Sequence, residues 1–549
     1  QLLLPSGRAV GGSAILNALI FSLGHKSDEA VKLFHSRELF EDTQNGSQSC
    51  HFQPEPVIRY WTTARVHDAL SDLFRALGIP VHNQSYGWIS EGLYTPLAFT
   101  QNGKRWHPYD KCLDPILSSN RADILVAPNT VVNRIIWDEK VADQATGVRV
   151  MHRGIPVSAM LSTWTSPYIP RSELILSAGA FETPAVLLRS GIGPADVFKP
   201  ELKIVQRREL PVGYNLHDHP VVGVICKLAP SVTINSRSLT AMELLRYWWS
   251  RQERMPFFHL TQGVLAHTSA LTSVAYLRTS LQRHLNLTRP DIQITFIAAA
   301  AIEHETFQKL GNFNPIAWRR FIASNEVNSK DTMVILISVV TPQSRGRVRL
   351  RKPSFLDLDE PFPQPEVDPA YLSHPTDLAR LVEALSWMWA TLQGAPKCYR
   401  PARHENQSAI ISPLLPHRSD PESREIFKTL NLEPHLPSYS SCPTVASCND
   451  ELNELALRQW DASLICLVQS AIVSNFHYAG TCPVKGIGGP VLSENLSVLH
   501  IKNVRVADAS VISVLPSSNP ATLVMSIGHH AAKSVLEDYE RQLDDARRF

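Results

Sequence analysis

His477 stands between Phe476 and Tyr478, ahead of a turn written Ala479-Gly480-Thr481-Cys482. An imidazole titrates near ~6.5, so such a residue can take a proton from a hydroxyl, or it can sit satisfied in a core. His217-Asp218-His219 carries the residue types of a metal site. No third anchor accompanies it, so a structural or supporting use fits better and no metal is expected. His529 and His530 are adjacent in what reads as a helix, so one of them must leave its apolar face. No G-x-S-x-G occurs, and Ser–His–Asp hydrolysis therefore lacks its usual nucleophile turn.

The elements that would position these groups are legible. Glu173-Leu174-Ile175-Leu176 reads as a buried strand, and the small residues Ser177 to Ala180 form a turn where backbone can approach a ligand. Thr183 is placed to cap a helix and Pro184 to open it, with Ser190-Gly191-Ile192-Gly193-Pro194 ending it. Strand, small-residue turn and helix N-terminus make a natural phosphate or dinucleotide site. Near the C-terminus, Val504 to Ser510 reads as a short strand ending in Asp508. Asn519 suits an N-cap and Pro520 a first helical residue. The helix should bury Leu523, Val524, Ile527, Ala531 and Val535, then become charged from Glu537. Its N-terminus offers a partial positive charge.

Elsewhere, Leu378, Leu381, Val382, Leu385, Met388, Trp389 and Leu392 repeat at helical spacing and predict a helix on a core. Met333 to Val340, the turn Pro342 to Gly346 and the alternating Arg347-Val348-Arg349-Leu350 predict a hairpin. Ile292 to Ile302 is an apolar run of ambiguous type. The acidic, Pro-rich stretch 354–369 and the Ser/Pro-rich stretch 438–449 read as loops.

Composition narrows the classes. There are 53 basic and 51 acidic residues, giving +2, without a basic block; neither nucleic acid nor a charged membrane surface is an expected partner. No run of ~20 strongly apolar residues occurs, so no membrane span is expected. Residues 462–484 lack charge but are broken by polar residues, and read as buried core. The 8 cysteines include no C-x-x-C; Cys442 and Cys448 lie close enough in sequence to pair, and the others are expected to be mostly free buried thiols. Sequons at Asn45, Asn83, Asn286, Asn406 and Asn495 permit a secretory route without establishing one.

Together these units resemble the glucose–methanol–choline (GMC) family of FAD-dependent alcohol oxidoreductases. Gly7-Arg8-Ala9-Val10-Gly11-Gly12-Ser13-Ala14-Ile15-Leu16-Asn17 is similar to the family's first signature, and Gly179 to Pro184 through Gly193 to its second. Val212 to Pro220, Pro342 to Leu350, His477 to Cys482 and Val504 to Ala521 follow in family order. The resemblance implies an α/β plus α+β fold. A discontinuous, Rossmann-like FAD domain would sit with a substrate domain built on an antiparallel sheet backed by helices. Expected segments are 1–220 for FAD binding, 221–339 for substrate, 340–535 carrying further substrate-sheet strands and the catalytic pair, and 536–549 as a charged tail. His477 would be the base that takes the alcohol proton, with hydride passing to flavin N5, and Asn519 its partner. Non-covalent FAD would be held by Gly12, Ser13, Asn17, Ala18, Leu19 and Ile20 beside the ring, Val132 toward the adenine, and Ala178, Asp508, Ala509, Pro520 and Ala521 along the pyrophosphate and ring ends. The substrate would be a small-molecule alcohol, the electron acceptor O2 or another oxidant, and the pocket would draw on residues 250–328 with Trp248, Trp249, Phe257, Phe258 and Trp318 in or near it.

Three features depart from the family pattern. Leu16 stands where some members attach FAD to a His, and Leu23-Gly24 where Arg-Gly is common. The 25 glycines include no G-x-G-x-x-G, so the opening βαβ unit and its ribose-binding acid are absent from the sequence. The expectation is a chain cut short at its front, or weak FAD binding. Alongside alcohol oxidation, for which a role in fungal secondary-metabolite biosynthesis is one expectation, stand a non-redox lyase or cyclase on the same fold and a non-catalytic remnant that does not hold FAD.

Overall fold

The computed structural model describes residues 4–35, 55–56, 61–83, 87–101, 104–119, 124–162, 172–227, 234, 240–250, 270–299, 315–316, 332–352, 361–392, 433–435 and 462–548. Asn45, Asn406, Cys442, Cys448, the stretch 438–449, Phe257, Phe258 and Trp318 lie outside these residues, as do the side chains of Trp248 and Trp249.

The largest sheet has 8 strands. Glu433–His435, Pro220–Lys227, Thr332–Val339, Ile292–Ile297, Leu271–Leu277, Gly92–Tyr94 and Val81–His82 follow in that order, with Val473–Ser474 added beside Pro220–Lys227. All pairs are antiparallel except the last, which is parallel. The run at Ile292 is thus a strand, and its alternation decides what it does. Ile292, Ile294 and Phe296 enter the core that the Trp61–Ala76, Pro375–Leu392 and Ala462–Ala471 helices build against the sheet. Period two turns Gln293 and Thr295 to the opposite face. The Pro375 helix presents Leu378, Leu381, Val382, Leu385 and Met388 to this core, as its spacing predicts. Each fully buried side chain of that kind contributes about 1.5–3 kcal/mol. The uncharged stretch 462–484 supplies that last helix, the Val473–Ser474 edge and the His477 loop.

The second layer is assembled from distant segments. Leu174–Leu176 pairs in parallel with Val504–Val506, and the Gly179–Arg189 helix packs beside them. An antiparallel meander, Thr130–Trp137, Ala145–His152 and Ile155–Met160, lies against that helix. The architecture is therefore the expected mixed α/β and α+β one, with an antiparallel sheet backed by helices. No helix among the described residues is long and apolar enough to cross a membrane.

Several local expectations are corrected. Met333 to Val340 and Arg347 to Leu350 do not form a hairpin. Thr332–Val339 is flanked on both sides by Pro220–Lys227 and Ile292–Ile297, leaving no free edge, so Arg347–Arg351 pairs instead with Gln364–Asp368. The end of the stretch 354–369 is accordingly a strand, aligned by Val348 opposite Val367. The helix assigned to Thr183-Pro184 begins earlier, at Gly179, and leaves Pro184 inside it. The C-terminal helix starts at Ala521 rather than Pro520 and runs unbroken to Arg548, so the charged stretch continues it as far as the described residues go. Ile175 is 47% exposed, not buried. Cys226 and Cys482 are free and buried, whereas Cys112 is disulfide-bonded.

Candidate functional site

The Gly179 helix starts without a local side-chain cap, because its capping group comes from far along the chain. Asp508 accepts from Gly179 N at 2.8 Å and from Thr183 Oγ1 at 2.5 Å through one oxygen, and from Ser510 N at 2.8 Å and Ser510 Oγ at 2.5 Å through the other. A carboxylate at a helix N-terminus also opposes the helix dipole. Ala178 N in turn donates to Thr183 Oγ1 at 3.0 Å. The structure thus brings Ala178, Asp508 and Ala509 to one turn, with the Asp508 side chain fully engaged in holding it. Val132 belongs to a different place: its carbonyl accepts from Arg189 at the other end of the helix.

Pro184 has no N–H to give the Ala180 carbonyl four residues back. The Thr481 hydroxyl takes that place, donating to Ala180 O at 2.7 Å. Phe181 and Tyr478 pack 4.5 Å apart, centroid to centroid, across the same junction. Gly480 at φ +88° lies so close to His217 that a Cβ would stand 2.2 Å from its ring. The helix therefore carries the 477–482 loop, and the loop fixes His477.

His477 meets three partners. Its backbone N donates to Asp218 Oδ1 at 2.8 Å, its Nδ1 lies 2.9 Å from His219 Nδ1, and its Nε2 lies 3.2 Å from Asn519 Nδ2. The predicted pair His477 and Asn519 is brought together. Asn519, expected as an N-cap, spends its side chain on His477 and on Gln293, whose Nε2 donates to Asn519 Oδ1 at 3.1 Å. Asp218 also accepts from His219 N at 2.8 Å, Ser474 Oγ and Tyr371 OH. The His217-Asp218-His219 triplet is thus an internal brace, and the described residues contain no cluster able to hold a metal. His217 Nδ1 lies 2.6 Å from Asn215 O.

Burial dominates the electrostatics. Loss of hydration lowers the His477 pKa to about 3 and His217 to about 3, and holds His219 well below the usual imidazole value, so all three imidazoles are neutral around neutrality. His477 is half-buried, whereas His217 and His219 are buried. The same desolvation raises Asp218 to about 6 against the pull of its four donors.

The N-terminal loop forms the opposite wall. Gly7 N donates to Ser13 Oγ at 3.0 Å, and Arg105 Nη1 reaches Asn17 O at 2.8 Å and Asn17 Oδ1 at 2.9 Å. Leu19 N donates to Asn17 Oδ1 at 3.2 Å, and Phe99 N to Leu19 O at 2.7 Å. After Ala18 and Leu19, Ile20–Phe21 pairs with Leu97–Ala98. Ala521 and Met525 pack on the cluster holding Leu19, Ile20 and Phe21, and Thr522 Oγ1 donates to Ser22 O. Asn17 to Ile20 thus come to the start of the helix that follows Asn519 and Pro520.

These walls fit a flavin. Gly12 and Gly179 have open space where a Cβ would stand, and Val10 and Leu16 show apolar surface, 43% and 69% exposed. Ser518 Oγ, buried next to Asn519, has no partner. Open backbone, apolar surface and an unpaired hydroxyl suit a flat ring with a polar edge.

Sequence reasoning placed His477 and Asn519 but missed Asp218 as the brace, His219 as the neighbour of Nδ1, and Gln293 as the neighbour of Asn519. The signal for Gln293 was available: a polar residue inside Ile292-Gln293-Ile294 sits on the face that the apolar positions leave.

Family models described as GMC oxidoreductase match residues 1–221 and 342–528. Mitochondrial choline dehydrogenase of Mus musculus is 24% identical over 548 residues, spanning 96% of this chain and 75% of its own. The Drosophila melanogaster protein "Neither inactivation nor afterpotential protein G" is 25% identical, spanning 99% and 79%. Among solved structures, an Aspergillus oryzae formate oxidase variant superposes with a TM-score of 0.69 at 18% identity, covering 98% of this chain and 85% of that one. A fungal aryl-alcohol oxidase gives 0.61 at 18% identity, covering 97% and 86%.

Proposed function

This chain belongs to the GMC oxidoreductase family, whose cofactor is FAD, and we propose that it oxidises an alcohol with His477 as the base and Asn519 as its partner. Gly12, Ser13, Asn17, Ala18, Leu19 and Ile20 would line the ring, with Ala178, Ala509, Pro520 and Ala521 offering backbone at its ends and Val132 lying farther off. Asp508 would sit with them at the pyrophosphate end, its side chain holding the turn. Bound FAD supplies the acceptor for the hydride that leaves the carbinol carbon.

The observation that carries this reading is the meeting of His477 Nε2 and Asn519 Nδ2 at 3.2 Å, from segments that only the fold brings together. A substrate hydroxyl that meets both atoms in place of their direct contact gives its proton to the imidazole and accepts a hydrogen from the amide. An imidazole lowered to about 3 is a poor resting base. An alkoxide beside it favours the imidazolium, so proton transfer becomes easier as hydride departure becomes easier. Fixed geometry contributes the rest: the Asp218 brace and the Thr481 tie leave His477 little freedom.

The test is an anaerobic titration of the FAD-loaded protein with a panel of aliphatic and benzylic primary alcohols, followed by the visible flavin bands. Bleaching by at least one alcohol, with stoichiometric aldehyde, is the expected outcome. Conversion of the added compound while the flavin stays oxidised would overturn redox catalysis in favour of a lyase or cyclase.

A further inference from the structure

His477 lies between Asn519, whose donor sense is set from outside it, and His219. On one side Gln293, only 1% exposed, gives its Nε2 hydrogen to Asn519 Oδ1 at 3.1 Å, which leaves the Asn519 amide hydrogens to face His477 Nε2 at 3.2 Å. On the other side the two imidazoles meet Nδ1 to Nδ1 at 2.9 Å, with the rings perpendicular. One of these nitrogens must donate and the other accept. His219 Nε2 is buried without a hydrogen-bond partner, so that ring does not set the sense by itself. The Asn519 amide hydrogens face the Nε2 of a neutral imidazole, so that nitrogen accepts, and His477 carries its own hydrogen on Nδ1 and donates it to His219 Nδ1.

We propose that Gln293 is a positioning residue that fixes this one-way chain from the Asn519 end, so that His477 keeps an accepting Nε2 and Asn519 keeps a donor beside it. The consequence appears after proton transfer. His477 Nε2–H and the Asn519 amide are then both donors, and neither can satisfy the other. Both point at the alkoxide oxygen. Were the Asn519 amide free to turn, its oxygen would accept from the imidazolium and the alkoxide would lose a donor; the hydrogen from Gln293 opposes that turn.

This rests on His477 as the base, but its first readout needs no turnover. In oxidised, FAD-loaded protein labelled with 15N-histidine, with the His477 signal assigned by its loss in His477→Ala, the expected state is Nδ1–H with an unprotonated Nε2. Gln293→Glu keeps the shape but can only accept, so the amide should turn and His477 should shift toward Nε2–H. Flavin bleaching by alcohol should slow by about tenfold or more while the substrate dissociation constant holds within about twofold, because positioning acts on the proton-transfer step. Gln293→Leu, the second variant, should give mixed tautomers. An Nε2–H tautomer in the wild type overturns the chain, as does an unchanged Nδ1–H signal in whichever of these variants folds. Wild-type flavin that no alcohol bleaches would instead contradict the proposed oxidation and leave the tautomer measurement intact.

Discussion

A single buried carboxylate, Asp218, organises both catalytic-side imidazoles by their backbones. It accepts from His477 N and His219 N, and its second oxygen takes the Ser474 and Tyr371 hydroxyls. Such full satisfaction is what makes a carboxylate tolerable in a core. Glu383 shows the same balance, with burial outweighing its donors. Ser280 N and Ser280 Oγ donate to it at 2.8 and 2.9 Å and Arg283 lies nearby, but burial, helped by Asp291, raises its pKa from 4.5 to about 7. Ionisation is therefore harder in the folded chain than in the unfolded one. Its contribution is complete below 4.5 and is lost as pH rises through about 7. Glu383→Gln should then melt above the wild type at about pH 8, with the gap closing toward about pH 5. Paired melting curves across that range check this, and a gap that widens in acid would contradict it.

At the scale of the element, the tie between the Gly179 helix and the His477 loop is a repair. Pro184 removes a helical hydrogen bond and Thr481 restores it from outside. Thr481→Val should cost about 1–3 kcal/mol, the range for stranding a buried acceptor. The same change should cost measurably less in a Pro184→Ala background, where a helical N–H can reach Ala180 O. Denaturant unfolding of the four proteins measures this coupling, and equal costs in both backgrounds would show that the hydroxyl is incidental. This element also shows what the sequence could not reveal. Thr183-Pro184 has the wording of a helix start because a hydroxyl and a proline suit the first turn. The actual start is set by Asp508, which lies 325 positions from Thr183. Local propensity cannot report a partner that distant. The Arg347–Arg351 strand was misread for a related reason: adjacency in sequence suggested a hairpin, and the occupied edges of its neighbour forbade one.

Over the whole molecule, the two larger of the three core clusters among the described residues share the chain in alternating pieces. One gathers residues from Val66 to Ala471 around the large sheet; the other joins residues from Ala30 to Ala531 through the parallel pair and the last helix. Arg505, almost wholly buried, locks the second together by meeting Glu173 at 2.7 Å and Asp538 on the C-terminal helix. Gln293 reaches the site from the face of the large sheet opposite the first core, and meets Asn519, which meets His477. The proposed reacting residues, His477 and Asn519, stood out in the sequence because their neighbourhoods carry distinctive local wording. Their supports, Asp218, His219 and Gln293, were not recognised as such, because those roles exist only once remote strands are stacked. The most direct test of the account is the rate of flavin bleaching when FAD-loaded protein is mixed anaerobically with an alcohol that it oxidises, wild type against His477→Ala. Loss of the base should slow bleaching by roughly 10²–10⁴-fold while FAD remains bound. A His477→Ala protein that holds FAD and bleaches at the wild-type rate would contradict the assignment.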